Sequence, residues 1–460
     1  MADKIRFTLN DQAVEIDDVS PMTTLLDWLR EHRGLKGTKE GCAEGDCGAC
    51  TVVLERANGR REAMNSCIAL LGQIDGQGVR TVEGLRGPDG APHAVQKAMA
   101  ESDATQCGFC TPGFVMTAYA FAAGREKPEL DTIHDALAGN LCRCTGYRPI
   151  VDAMKKAARA KVAPAPPVPT RLNAASFDGG FFAPRSLSDL LKLRVAHPQA
   201  LLLAGGTDLG LLASRSRKPP AQVIHLAHVP QLNGVQQDRT NLVIGAAATY
   251  AEAMPLLIEN FPALAPYLSR LGSRQIRTMG TIGGNIGTAS PIGDMPPVLL
   301  ALDATLILAS PRGTRRLALD KFFLDYRKTA LEPNEIIQSI TVPRLAEGES
   351  FHCDKVSKRR DQDISTVAGA YKLRILFGRL EEARLAFGGM AATPRRAVHA
   401  EAALKREGFA AAAEALLRDF QPIDDWRGSG QYRRQVAANL LRRLELRLSR
   451  PGQPIEVEAL

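Results

Sequence analysis

Three cysteines fall within the ten residues 41–50, GCAEGDCGAC, as Cys42, Cys47 and Cys50, and a fourth thiol follows at Cys67. Gaps of four and two residues and then a distant cysteine are the plant-type spacing for a 2Fe-2S cluster held on four thiolates. Three ligands drawn from one loop need a tightly folded backbone, and Gly41, Gly45 and Gly48 allow it while turning amide N–H groups toward sulfur. Structural zinc is the competing chemistry, although zinc sites usually pair two short hooks. A second set, Cys107, Cys110, Cys142 and Cys144, lies in QCGFCTPG and NLCRCTGYRP. Its C-x2-C and C-x-C hooks taken alone suit iron-sulfur or zinc. Beside the first set, a second one-electron centre makes a wire. Cys353 has no partner in the sequence and reads as an inert packed thiol.

Farther along, the chemistry passes from cysteine to glycine. Residues 201–210, LLLAGGTDLG, read as a buried strand entering a turn with two adjacent glycines, and residues 280–294, GTIGGNIGTASPIGD, as a second glycine loop between apolar strands. Neither is the G-x-G-x-x-G fingerprint or a P-loop, which argues against a nicotinamide Rossmann domain and against an ATPase. Glycine loops let backbone amides approach a pyrophosphate, with Thr207, Asn285, Thr288 and Ser290 as further donors and Asp294 as an acceptor for a ribose hydroxyl. Tight turns are the plain alternative for either loop alone. Two such loops, each polar at its centre, favour a bound dinucleotide cofactor. No residue is assigned a catalytic acid or base role: His93, His134 and His225 stand alone and read as structural or exposed.

The elements that must position these groups follow from pattern. Ile5, Phe7 and Leu9 alternate, Val14 and Ile16 resume the pattern after Asn10-Asp11, and the pair predicts a β-hairpin. A helix after Pro21 is expected to put Leu25, Trp28 and Leu29 on one face, and residues 51–54 read as a strand. In the second cysteine region, Thr111 is the expected N-cap of a helix with Pro112 at its first position, and Pro149 the start of another that carries Ile150, Ala153, Met154 and Ala157. Both cysteine pairs thus precede helix N-termini, where free N–H groups and the helix dipole favour thiolate. The proline-rich stretch 161–173 reads as a semi-rigid linker. Strands are expected over residues 367–376 and 385–387. A last helix over 431–448 should face Val436, Leu440 and Leu444 inward and its arginines outward.

At 460 residues the chain is expected to hold about three domains. It shows neither an N-terminal signal segment nor a long apolar run, so a cytoplasmic location with reduced thiols is expected and a membrane role is not. The net charge of +8 comes from basic clusters at 358–360, 395–396 and 433–450 without interleaved aromatics, which reads as solvated faces or a subunit contact and not as a nucleic-acid surface.

Two unlike four-cysteine sets followed by GGTDLG and TIGGNIGTASPIGD resemble the xanthine dehydrogenase and aldehyde oxidase family of molybdenum hydroxylases over nearly the whole chain. The resemblance implies an α+β multidomain protein: a ferredoxin-like β-grasp 2Fe-2S domain (1–83), a helical 2Fe-2S-binding domain (84–160), a linker (161–174), a non-Rossmann α+β FAD-binding domain (175–346) and a C-terminal α+β flavoprotein domain (347–460). It implies that Cys42, Cys47, Cys50 and Cys67 hold the ferredoxin-like cluster, and Cys107, Cys110, Cys142 and Cys144 the cluster nearer a molybdenum centre. FAD contacts carry over to Leu202, Leu203, Ala204, Gly205, Gly206, Thr207, Asp208 and Leu209, to Thr281, Ile282, Gly283, Gly284 and Asn285, and to Leu271, Asp294, Ile337 and Lys355. Leu271 stands where relatives often carry an aromatic. Residues 358–363, KRRDQD, resemble the charged stretch beside the flavin ring that influences acceptor access, with Gln362 where some relatives carry an acid.

The implied role is the electron-transfer subunit of an enzyme oxidising hypoxanthine and xanthine to urate. Electrons would come from a molybdenum cofactor on a large partner subunit, cross the two clusters to FAD and leave to NAD. The implied assembly is a heterodimer that associates further to a heterotetramer or larger. The alternatives are the same role in a hydroxylase of aldehydes or other N-heterocycles, a stand-alone flavin and iron-sulfur reductase, and a zinc-stabilised assembly module.

Overall fold

The computed structural model describes residues 3–87, 89–165, 167–169, 171 and 173–453. By contact the chain divides into two compact units: Met1–Gln231 with Thr249–Ala251 and Gly272–Gly280, and Leu232–Ala248 with Glu252–Leu271 and Thr281–Leu460. Strands and helices are mixed throughout, as the α+β class requires.

The first unit opens with the expected hairpin, β1 (Ile5–Leu9) and β2 (Gln12–Ile16), in antiparallel register with Ile5 opposite Ile16. Asn10 and Asp11 both take positive φ, 51° and 68°, the geometry a two-residue hairpin turn needs. With β3 (Thr51–Glu55), β4 (Arg61–Asn65) and β5 (Gly78–Arg80) these form a sheet ordered β2-β1-β5-β3-β4, in which β1 and β5 run parallel. Phe7, Leu9, Val52, Leu54 and Val79 are buried in one core with Leu25, Trp28 and Leu29, and the Phe7 and Trp28 rings meet edge-on at 5.4 Å. The expected helix over Leu25 and Trp28 is short: Leu25–Asp27 is α-helical and Trp28–His32 continues as a wider π turn.

Four helices follow: α1 (Ala94–Glu101), α2 (Thr111–Gly124), α3 (Leu130–Leu137) and α4 (Arg148–Ala157). Residues 113–122 of α2 are buried without a break, so α2 is the central helix and cannot be amphipathic. Ile150, Ala153, Met154 and Ala157 of α4 face the same core. Two start signals read differently in the structure. The N-cap of α2 is Cys110, and Thr111 instead shares a 2.7 Å hydroxyl hydrogen bond with Thr105. Helix α4 begins at Arg148, capped by Tyr147 at φ 68°, with Pro149 one position later. Within the linker, Pro166, Thr170 and Leu172 lie outside the described residues. Arg171 is pinned, its Nε 2.7 Å from Asp75 and its Nη1 3.1 Å from Asp3. The unit closes with a four-stranded sheet, in order Ala175–Phe177, Phe181–Ala183, Val223–His225 and Leu201–Leu203, and with the helix Arg274–Met279. Leu201–Leu203 is an edge strand, so Leu203 is buried while Leu201 is exposed, against the expectation of a buried strand.

The second unit holds an all-antiparallel five-stranded sheet, ordered Val235–Gln237, Asn241–Gly245, Ile336–Pro343, Thr305–Ser310 and Gly313–Ala318. A Rossmann half needs parallel strands with helical crossovers, so the non-Rossmann expectation holds for this sheet. A second antiparallel sheet, Glu349–Val356, Val367–Leu376, Arg379–Gly388 and Arg395–Arg396, packs against helices Val398–Glu407, Phe409–Asp419 and Gly430–Ser449. Phe387 stacks edge-on with Tyr371 at 5.8 Å and with Phe420 at 5.5 Å in that core. On the last helix Leu440 and Leu444 are buried and Val436 partly so, but Arg433 is not on the solvent face. It is 2% exposed, donates to the Gly389 carbonyl at 3.0 Å and forks onto both oxygens of Asp425 at 2.6 and 2.7 Å. A guanidinium whose two terminal nitrogens are met this way is buried with its charge paired, only its Nε lacking a partner. No helix among the described residues is long and apolar enough to cross a membrane.

Candidate redox-cofactor sites

The loop 41–50 curls so that its own amides face sulfur. The N–H groups of Glu44 and Cys47 donate to Cys42 Sγ at 3.4 and 3.3 Å. A methyl group at Gly41 would lie 2.7 Å from Cys47 Sγ, so the glycine leaves the room that thiol occupies. Cys50 and Cys67 are each 2% exposed, packed with Leu26 and Ile68. Asn65 reaches into the loop, its Nδ2 donating to the Gly45 carbonyl at 2.7 Å and its Oδ1 accepting from the Cys50 thiol at 3.7 Å. The thiols act in pairs. The Cys47 thiol donates to Cys42 and, with the backbone N–H groups, brings Cys42 down to about 5, while Cys47 itself is raised. Likewise the Cys67 thiol donates to Cys50, which is lowered as Cys67 is raised.

In the second set Cys144 Sγ lies 3.6 Å from Cys107 and 3.8 Å from Cys142, and Thr145 Oγ1 sits 3.1 Å from Cys142. Burial works against the Cys142 thiolate, but the Thr145 hydroxyl and nearby N–H groups bring it down to about 7. Burial and the neighbouring Cys142 push Cys110 up to about 12. Tyr147 shapes this loop: its hydroxyl accepts from the Cys142 N–H at 2.9 Å, and its ring meets Phe114 edge-on. The two loops touch. Leu141 N–H donates to the Cys47 carbonyl at 3.0 Å, and methyl groups at Gly48 or Gly113 would overlap the backbone of the other loop.

These thiols fit iron-sulfur clusters in two respects. None of the eight is in a disulfide. Sulfurs sharing one tetrahedral metal at about 2.3 Å lie roughly 3.8 Å apart, close to the separations in the second set. Among the described residues no group of three or more His, Cys, Asp or Glu forms a ready metal-ion site, so the fit rests on sulfur-to-sulfur and amide-to-sulfur contacts.

For the flavin candidates, each unit stands by itself. In the first, residues 202–209 leave the edge strand, turn at Gly206 (φ 78°) and enter the helix Gly210–Ser214, with Gly210 N–H donating to the Gly206 carbonyl at 2.7 Å. Gly205 abuts the Met279 carbonyl so closely that any side chain would overlap it. Leu202, Leu203, Ala204, Gly205, Gly206, Thr207, Asp208 and Leu209 therefore form one continuous segment from the end of a strand through a turn to a helix start.

In the second unit the stretch expected as a loop is a short helix, Ile282–Gly287, and its flank Met295–Ala301 is also helical. Thr281 caps the first, its Oγ1 accepting from Gly284 N–H at 3.0 Å. Gly283 lies against Ala246, where a methyl would clash. Asn285 Oδ1 is buried without a protein partner, a vacant acceptor suited to a bound polar group. Asp294 already has two partners, Lys355 Nζ at 2.6 Å and Ser365 Oγ at 2.5 Å. Lys355 is thus a buried counter-charge to Asp294. Arg270, beside Leu271, donates to the Lys355 carbonyl at 2.8 Å, and Ile337 approaches the position a methyl at Gly287 would take. Leu271, Thr281, Ile282, Gly283, Gly284, Asn285, Asp294, Ile337 and Lys355 accordingly gather in one region of this unit. The residues 358–363 are largely exposed, with Gln362 at φ 51°.

Sequence reasoning missed Asn65, Thr145 and Tyr147, whose only signal is their closeness in the chain to a cysteine. His93 caps α1, accepting from Val95 N–H at 3.2 Å, and His134 is exposed. His225 is buried beside His228. Burial holds His225 well below its usual value and takes His228 to about 3. The Cys353 thiol is buried, donates to the Ala263 carbonyl at 3.3 Å and is pushed up by burial.

Comparison with known families gives four matches in chain order. They are a 2Fe-2S iron-sulfur cluster binding domain (7–71), a 2Fe-2S binding domain (81–155), an FAD binding domain in molybdopterin dehydrogenase (175–345) and a CO dehydrogenase flavoprotein C-terminal domain (352–448). Xanthine dehydrogenase/oxidase of Gallus gallus is 32% identical over 85% of this chain and 35% of its own length. Xanthine dehydrogenase of Emericella nidulans is 33% identical over 88% and 35%. The chain thus spans about a third of the length of these relatives. Among solved structures, a carbon monoxide dehydrogenase of Hydrogenophaga pseudoflava matches with TM-score 0.56 and 31% identity over 59% of this chain and 97% of its own. Quinoline 2-oxidoreductase of Pseudomonas putida 86 matches with TM-score 0.53 and 27% identity over 58% and 95%. Two 2Fe-2S domains, a flavin domain and a 31% identical solved chain covered almost end to end place this chain in the molybdenum hydroxylase family.

Proposed function

We propose that this chain is the electron-transfer part of a xanthine dehydrogenase, working with a large subunit that holds the molybdenum cofactor and with NAD as final acceptor in the oxidation of hypoxanthine and xanthine to urate. Its domains would run 1–83, 84–160, 175–346 and 347–460, joined by the linker 161–174. Cys42, Cys47, Cys50 and Cys67 would hold one 2Fe-2S cluster and Cys107, Cys110, Cys142 and Cys144 the other. FAD would be held by residues 202–209 and 281–285 with Leu271, Asp294, Ile337 and Lys355. When bound, these groups supply the one-electron and two-electron carriers, and the protein supplies position and electrostatics.

The observation that carries the reading is the direct contact of the two cysteine loops, Leu141 N–H on the Cys47 carbonyl at 3.0 Å. Short separation is what one-electron relay between two centres needs. The chain's own contribution at the first centre is the amide pair on Cys42, which stabilises negative charge on that sulfur. At the second it is Thr145, and Tyr147 through the Cys142 N–H. In the flavin region Lys355 neutralises Asp294, leaving that carboxylate fixed in direction. The xanthine assignment is supported by the names of the relatives, and a separate partner by the nearly complete coverage of the carbon monoxide dehydrogenase chain.

Low-temperature EPR of anaerobically purified protein, with iron, zinc, FAD and molybdenum counted in the same sample, tests the cofactor reading. Two distinct 2Fe-2S signals with about four irons per chain are expected; a colourless zinc protein would defeat it. A second reading, hydroxylation of another N-heterocycle, is favoured by the likeness to quinoline 2-oxidoreductase. Turnover of the assembled enzyme on xanthine, quinoline and aldehydes separates the two, and activity confined to substrates other than purines would sink the xanthine assignment.

A further inference from the structure

The junction of the two cysteine loops is filled by side-chain amides where an apolar residue would fit. Asn140 is 2% exposed and stands two positions before Cys142; its Nδ2 donates at 3.1 Å to the carbonyl of Gly48, between Cys47 and Cys50. Gln275, 1% exposed, enters from the helix Arg274–Met279. Its Nε2 lies 3.0 Å from Asn140 Oδ1, 3.3 Å from Thr117 Oγ1 and 3.4 Å from Thr51 Oγ1. Thr117 donates to Asn140 Oδ1 at 2.7 Å, and Thr51 to the Gly48 carbonyl at 2.7 Å. Four side chains and one carbonyl thus form a closed set reaching from the first loop through α2 to the second.

Stability alone does not explain this filling. Gln275 Oε1 is buried with no protein partner, beside Gly139, where a methyl group would overlap it. Leaving an acceptor unpaired is destabilising, whereas an apolar side chain of similar shape would leave none. What the amide adds is direction. Its donor points at Asn140 Oδ1, which fixes the Asn140 amide so that Nδ2 faces the Gly48 carbonyl.

We propose that Gln275, acting through Asn140, is a positioning residue that fixes the separation and orientation of the two cysteine sets, and thereby electron transfer between the centres they hold. This rests on reading both sets as 2Fe-2S ligands. Gln275 does not touch either set of sulfurs; it holds the loop that carries Cys47 and Cys50 against the loop that carries Cys142 and Cys144.

The test is Gln275→Leu and Gln275→Met in the full-length protein, co-purified with its partner and reduced with dithionite. Pulsed dipolar EPR then reads the coupling between the two reduced centres. Both variants should keep about four irons per chain and the separate g-values of each centre, with a broadened or shifted dipolar coupling. Methionine keeps the unbranched length but has no donor for Asn140 Oδ1, so it should behave as leucine does. Full iron with unchanged coupling in both would overturn the proposal, even if the melting temperature fell, because a packing role alone predicts that pattern. Should Gln275→Leu fail to load iron, Thr117→Val takes its place: it removes a donor to Asn140 Oδ1 from α2 without altering either loop, and altered or unchanged coupling decides in the same way. Wild-type protein that binds zinc and no iron would overturn the iron-sulfur reading itself, and the proposal with it.

Discussion

Alanine at Gly48 tests whether the two cysteine loops are built to touch. Gly48 has φ 68°, where an L side chain costs about 1–2 kcal/mol. Its methyl would also lie 2.6 Å from Asn140 Nδ2 and overlap the Gly139 carbonyl. Overpacking of this kind costs about 1–3 kcal/mol, so the total is roughly 2–5 kcal/mol. Two controls separate the contributions. Gly59 has φ 81° with nothing within 4 Å of an added methyl, so Gly59→Ala carries the backbone cost alone. In Gly113→Ala the methyl overlaps the Gly48 carbonyl from within α2, so it carries the packing cost, less about 1 kcal/mol of gained helix propensity. At roughly 2–4 °C per kcal/mol for a domain of this size, Gly48→Ala should melt on the order of 10 °C lower, and Gly59→Ala a few degrees lower. Thermal unfolding followed by circular dichroism, with iron counted per chain, reads both effects. A Gly48→Ala protein that melts with Gly59→Ala and keeps all its iron would refute the argument that contact between the loops is what requires this glycine.

Single cysteine changes should separate the centres: Cys42→Ser removes one EPR signal and about half the iron while leaving the other signal, and Cys110→Ser does the converse. Loss of both signals from either change would show that the sets do not load independently. Asp354 is buried and accepts from Arg447 at 2.8 and 2.9 Å, so Asp354→Ala should lower stability by about 1.5–3 kcal/mol by removing charge-assisted hydrogen bonds to a partly buried guanidinium. Chemical denaturation reads this, and a loss near that of an exposed ion pair would contradict it. Burial holds His228 at about 3, so the unfolded chain binds a proton there below pH 6.5 that the folded chain does not. Stability contributed by neutral His228 is complete above pH 6.5 and falls by up to about 1.4 kcal/mol per pH unit as pH drops toward 3. His228→Gln should flatten that part of the melting-temperature profile, and an unchanged acid slope would exclude His228 as its source.

How much of this was legible in the sequence depended on how local the cause was. The hairpin could be read because Asn10 and Asp11 tolerate positive φ and the flanking residues alternate. The cysteine sets could be read because ligand type and spacing are themselves the chemistry. By contrast, residues 282–287 are rich in glycine, a poor helix former, yet form a helix because Thr281 caps it and Gly283 packs on Ala246. Nothing local signals that packing. Leu201 has the composition of a core strand and is exposed because Leu201–Leu203 is at a sheet edge, which is a property of strand order. Arg433 looked like one more solvated arginine, and only the fold places the Gly389 carbonyl and Asp425 within its reach. Asn140 and Gln275 are 135 positions apart, and a lone amide carries no motif.

The buried charges make the same point from the side of energetics. Arg80 meets Glu55 in the first sheet, Arg277 meets Asp135 on α3, Lys355 meets Asp294, and Arg433 meets Asp425. Removing such charges from water is costly, and apolar pairs of equal volume are often as stable. An apolar pair can slide, however, whereas a guanidinium on a carboxylate has few productive orientations. Arg277 shows the consequence: with Arg274 Nε 2.6 Å from the other oxygen of Asp135, it clamps the helix Arg274–Met279 to α3 in one register. That register carries Gln275 to Asn140. Directional burial here stabilises one arrangement over its neighbours more than it stabilises folding, which is the demand that relay between two fixed centres places on a scaffold.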